Sequence, residues 1–254
     1  MTTLLYDGTF EGLMTAVFEV YEYRFEPAKI IAAEHYQSQS IFSEHQEVIT
    51  NQEKADRVLK MIERNLGKKG ASQLLRVYLS ENDNAERLIL SAVSRSIKNP
   101  AENILNNFAE VDIMDIAKIN KSISREVHRM HAFVRFEKLQ DEVYFSKIEP
   151  DFNVLPLIIS HFKNRYRDQK WMIYDLKRHY GIFYDFNDVQ FFEPALEQTQ
   201  QLKRTENILH EEEIQYQKLW QRYFFKTNIP ERKNLKLHVQ SLPKRYWKYL
   251  TEKL

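Results

Sequence analysis

One stretch, residues 131–185, limits the possible folds more than any other part of the chain, because its hydrophobic period changes twice. Ala132, Val134 and Phe136 alternate with Phe133, Arg135 and Glu137, the period of a half-buried strand. Residues 139–142 form a short polar break and 143–148 a second β-rich run, which together predict an antiparallel hairpin. Asn153 is placed as a helix N-cap, and Pro156 sits in the first helical turn, where its missing N–H costs nothing. Val154, Leu157, Ile158, His161, Phe162 and Arg165 then recur at helical spacing on one face. Residues 171–176 and 182–186 read as a second hairpin, turning through 177–181. The unit is strand–strand–helix–strand–strand. It predicts an α+β fold, mostly helical, with one antiparallel four-stranded sheet in the middle of the chain.

The flanking segments are helical in pattern. Residues 4–6 read as a short edge strand and Asp7–Gly8 as a turn, with Thr9 capping a helix whose stripe is Phe10, Leu13, Met14, Val17, Val20 and Tyr21. Short strands are expected at 28–33 and 47–49, joined by a polar loop. Thr50 and Glu53 form a capping-box pattern for a helix carrying Ala55, Val58, Leu59, Ile62 and Leu66, bracketed at its end by Gly67 and Gly70. Further helices are expected over 71–79 and 85–97, stopped by Asn99–Pro100, then a connector over 101–120 and a helix over 123–130. A long helix over 196–225, with Ile208 among its apolar positions, ends at Pro230. The division expected is a mainly helical part, 1–120, and a sheet-containing part, 121–254, with the long helix and a basic tail, packed as one unit.

Composition excludes several kinds of chemistry. The chain has 254 residues and 43% hydrophobic content, enough for real cores. No apolar run approaches a membrane span, and the N-terminus lacks a basic region followed by an apolar stretch, so a cytoplasmic location and no membrane partner are expected. With no cysteine there is no disulfide, thiolate nucleophile or zinc–thiolate site. Only five glycines occur, and none builds a P-loop, a Gly-x-Gly-x-x-Gly turn or a nucleophile elbow, so no cofactor is expected. His128 and His131, spaced i,i+3, lack a completing carboxylate, and no metal site is expected there.

Net charge is +1 but unevenly spread. Residues 1–63 carry eleven acidic and five basic side chains. Residues 163–180 carry six basic and two acidic, and residues 226–254 eight basic and two acidic. Basic stretches interleaved with aromatics suit an anionic partner, since guanidinium groups pair with phosphates and aromatic faces stack on bases. The residues assigned to such contact are Arg135, Arg165, Tyr166, Trp171, Arg178, Lys244 and Arg245. Acid–base candidates are His131, Glu137, His161 and Asp175, with Asp185 a further carboxylate. Arg135, His161, Arg165 and Arg178 are expected to face a shared cleft. The competing reading is that these groups form structural ion pairs, and that the tail aromatics Tyr246, Trp247 and Tyr249 dock onto the core.

Four segments also carry a resemblance: YDGTFEGLMTAVFEVYE (6–22), HAFVRFEK (131–138), HFKNRYRDQKWMIYDLKRHYG (161–181) and LWQRYFFKTNIPERKNLKLHVQSLPKRYWKYLTE (219–252). They resemble a bacterial family of DNA metabolism and DNA repair proteins known mainly as a domain of unknown function. Its members are associated with a radical-SAM protein, and some are fused to a uracil-DNA-glycosylase-like domain. The resemblance implies a DNA-binding accessory whose partner, a radical-SAM or uracil-DNA-glycosylase-like protein, carries the chemistry. Two alternatives stand beside it: an enzyme acting directly on damaged or modified nucleic acid, and a protein-binding scaffold whose acidic N-terminal part docks a basic partner.

Overall fold

The computed structural model describes residues 2–25, 27–36, 45–100, 102–195, 209–227 and 235–253. It divides into two compact units, Met1–Ile123 and Ser124–Leu254.

In the first unit, β1 (Thr2–Tyr6), β2 (Ala28–Ala32) and β3 (His45–Glu47) form a parallel sheet in the order β2-β1-β3. The strand expected at the edge is therefore central, and Leu4, Leu5 and Tyr6 are all buried. The pairing is parallel because α1 (Phe10–Glu22) carries the chain back to the end where β1 began. Thr9 caps α1, its hydroxyl accepting from the Gly12 N–H at 3.0 Å, while Leu13, Met14, Ala16 and Val17 are fully buried. Asn51, not Thr50, caps α2 (Gln52–Leu79), accepting from the Lys54 N–H at 3.0 Å. The Thr50 hydroxyl instead donates to Asp7 Oδ2 at 2.7 Å. Gly67, at φ +73°, interrupts α2, a backbone state that favours glycine. Helix α3 (Ala85–Lys98) stops at Asn99. The loop expected between β2 and β3 falls partly on 37–44, outside the described residues.

Helix α4 runs over Val111–Phe133, so Ala132 and Phe133 end a helix and do not begin a strand. Ile116, Asn120, Ile123, Glu126 and Met130 are buried at three- and four-residue spacing, and this longer stripe overrides the brief alternation of 132–136. In the second unit, β4 is reduced to Glu137–Lys138. It is followed by β5 (Tyr144–Ile148), α5 (Leu155–Arg165), β6 (Trp171–Asp175), β7 (Tyr180–Tyr184) and β8 (Val189–Phe192).

The expected four-stranded antiparallel sheet is thus a five-stranded mixed one, in the order β4-β5-β6-β7-β8. Strands β5 and β6 are parallel, with Phe145 opposite Met172, and the other three pairs are antiparallel. A helix between two neighbouring strands returns the chain to its starting end, which forces that parallel pair. Phe145, Trp171, Ile173, Tyr174 and Ile182 are fully buried, and α5 contributes Leu155, Ile158 and Phe162. Fully burying a large apolar side chain contributes about 1.5–3 kcal/mol. The α5 N-cap is Val154, without a side-chain cap bond, and Asn153 instead accepts a hydrogen bond from the Tyr180 hydroxyl.

The second unit closes with α6 (Glu213–Thr227), α7 (Leu235–Ser241) and a 3-10 turn, Lys244–Tyr249. Of the helix expected over 196–225, residues 196–208 lie outside the described residues, as does Pro230; the described helix begins at Glu213. Among the described residues no helix is long and apolar enough to cross a membrane.

Candidate nucleic-acid interface

The end of α5 gathers positive charge because the helix is amphipathic. Leu155, Ile158 and Phe162 take the sheet face, and the residues after Phe162 turn outward. Arg165, Arg167 and Lys170 are exposed and make no ion pair with the described residues. The Arg165 guanidinium lies 5.7 Å from the Tyr166 ring centre, and Lys170 Nζ lies 5.6 Å from that of Phe186. Lys163, nearer the sheet, pairs with Asp188 at 3.0 Å.

Phe186 sits in the β7–β8 turn at φ +82° and is 48% exposed. The turn is tied down. Asp185 Oδ1 accepts from the backbone N–H groups of Asn187 and Asp188, each at 2.9 Å. These bonds hold the Asp185 carboxyl below the usual carboxylate range. The Tyr184 hydroxyl donates to the Phe186 carbonyl at 2.7 Å and lies 3.3 Å from the Arg167 carbonyl, joining the turn to the basic loop.

The other assigned cations serve the fold. Arg178, with 9% of its side chain exposed, donates to Asp175 Oδ2 at 2.9 Å and to the carbonyls of Pro150 and Asp151. Asp175 is fully buried and also accepts from the N–H groups of Lys177 and Arg178. Arg135 pairs with Glu252 at 2.9 Å and faces the Trp220 ring. Arg245 pairs with Glu126 at 3.0 Å and with Asp151 at 2.6 Å. Glu126, 1% exposed, also accepts from the Tyr246 hydroxyl and from the Asp151 N–H at 2.9 Å. Lys244 is exposed beside Trp247. Trp171 is 0% exposed, so its ring belongs to the core, while Tyr166 is half-buried, stacked on Phe162. Of the four residues expected to share a cleft, Arg135 and Arg178 are held in separate ion pairs and Arg165 faces solvent.

His131 and His161 are brought together, their rings stacked with centroids 3.9 Å apart. Burial lowers the pKa of both; His161 and His128 add to this for His131, and Arg165 for His161. Glu137, on β4, lies 3.5 Å from Gln217 Nε2. Among the described residues no group of three or more His, Asp or Glu is placed to hold a metal ion.

Arg167, Lys170 and Phe186 were not singled out from the sequence. The first two lie inside the basic stretch 163–180. Phe186 reads in the sequence as the end of a strand, although Asp185, Asn187 and Asp188 around it are turn formers. A family model described as a domain of unknown function, DUF4130, matches residues 83–252. No curated protein matches the chain.

Proposed function

Since the chain belongs to the family of the domain of unknown function DUF4130, we propose that it acts in that setting as a nucleic-acid-contacting accessory protein of DNA metabolism or repair. The observation that carries this reading is the rim of Arg165, Arg167 and Lys170, exposed and without carboxylate partners among the described residues, beside two aromatic rings. Cations in this state are available to phosphates, whereas Arg135, Arg178 and Arg245 are engaged within the fold. The contact is mainly electrostatic and weak, because three cations are few and the acidic residues 1–63 oppose non-specific association. The chemistry then resides in a cytoplasmic partner of the radical-SAM or uracil-DNA-glycosylase type, to which this chain delivers or holds the strand.

The catalytic alternative draws less support, since Asp175 is buried and saturated by Arg178 and two backbone amides. The test is a salt titration of oligonucleotide binding, with an Arg165→Glu/Arg167→Glu double variant beside the wild type. Affinity is expected to fall steeply with salt, by a log–log slope of roughly −0.9 per phosphate contact on duplex, and to collapse in the variant. A folded wild-type protein that binds no oligonucleotide at low salt overturns the reading and puts the protein-binding scaffold ahead.

A further inference from the structure

We propose that Phe186 is a stacking platform for an unpaired nucleobase, so that the strand held by the basic rim is single-stranded. The inference rests on the nucleic-acid reading above and specifies its substrate.

Three observations converge on this ring. The first is its backbone. At φ +82° a bulky aromatic is out of place, and a glycine or asparagine would occupy the turn with less strain. The turn geometry explains why the position has a positive φ but not why it carries a large apolar side chain. The second is burial. Tyr184, two residues earlier, packs into the core and is 3% exposed, whereas Phe186 remains 48% exposed, so its ring is not needed to fill the interior. The third is its surroundings. Lys170 Nζ lies 5.6 Å from the ring centre, and Tyr184 couples the Phe186 carbonyl to the loop bearing Arg167. A fixed aromatic face bordered by cations is the arrangement that binds single strands, the base covering the ring while phosphates meet the charges. A duplex keeps its base faces stacked on one another and offers only its charges to the rim. The hydrogen bonds at Asp185 and Tyr184 hold the backbone of the platform before any strand arrives, which reduces the ordering cost of binding.

The experiment compares wild type, Phe186→Asn and Phe186→Tyr for binding to a short mixed-sequence single strand, to its duplex, and to a single strand carrying abasic sites. Asparagine tolerates the left-handed backbone and keeps the turn while removing the ring; tyrosine restores the ring. A thermal melt of each variant verifies the fold. Phe186→Asn is expected to lose roughly 5- to 150-fold in single-strand affinity, with the salt slope and duplex binding unchanged. Phe186→Tyr should bind like wild type, and the abasic strand should bind wild type as weakly as the intact strand binds Phe186→Asn. If Phe186→Asn binds the single strand like wild type, or wild type prefers duplex, the platform is overturned while salt-dependent binding by the rim survives. If wild type binds neither form at low salt, the platform and the nucleic-acid reading fall together.

Discussion

His131 and His161 stack face to face across α4 and α5, with ring planes 11° apart, and neither Nε2 has a hydrogen-bond partner among the described residues. Burial disfavours a proton on either ring, and nearby positive charge adds to this, from His161 and His128 at His131 and from Arg165 at His161. Both pKa values therefore lie below the ordinary 6.5. In the window between the lowered and ordinary values the unfolded chain binds more protons than the folded one, so stability rises with pH there. Stability should fall as the solution is acidified below about pH 6.5. His161→Phe, which keeps a stacked ring and removes one titration, should flatten that decline in urea melts.

Glu126 stands at the centre of the tail's attachment. Glu126→Ala leaves the Tyr246 hydroxyl and the Asp151 N–H without their acceptor and removes an ion pair with Arg245. A loss of about 3 kcal/mol in the second unit is expected by chemical denaturation. Arg245→Ala should be milder, because its side chain is partly in water.

Arg178 and Arg165 should behave oppositely. Arg178→Ala strands the buried carboxylate of Asp175 and should cost about 2–4 kcal/mol of stability. Arg165→Ala should leave the melt unchanged and reduce the salt slope of duplex binding by roughly 0.9. Paired thermal melts and salt titrations of the two variants check this contrast.

Gly181 lies opposite Phe192 on the neighbouring strand β8. A Cβ at this position would come within 2.4 Å of Phe192 Cζ and 2.8 Å of the Ile173 carbonyl oxygen. Gly181→Ala should cost about 1–3 kcal/mol, since backbone on one side cannot yield, and a urea melt would register it.

Much of the first unit was legible because its helices declare themselves. Leu13, Met14, Val17 and Val20 mark α1, and Ala55, Val58, Ile62 and Leu66 mark the start of α2. Sheet order was not, because pairing depends on what lies between strands. The β5–α5–β6 crossover fixed a parallel pair that local alternation does not reveal. The extent of α4 is hard to read because five alternating residues mimic a strand while its buried stripe is interrupted by the polar Asn120 and Glu126. At the candidate interface, charge density marked the segment, but which cations face solvent was decided by tertiary partners. Arg165 and Arg178 look alike in the sequence, and only Arg178 has a buried carboxylate waiting three residues earlier. Phe186 was hidden because an aromatic after a β run reads as more strand.

The neighbour-by-neighbour strand order of the second unit carries a kinetic consequence. Each strand of β4-β5-β6-β7-β8 pairs with the next in the chain, so the sheet closes only short loops as it assembles. Glu126, by contrast, waits for Arg245 and Tyr246, separated from it by 119 and 120 positions. The sheet, and the Asp151 N–H that also reaches Glu126, can therefore be in place before the tail, so full burial of this carboxylate is expected to come after sheet formation. The C-terminal segment thus completes the enclosure of a charge that shorter-range contacts cover only in part, which is expected to make the seal a late, tail-dependent event on the folding path.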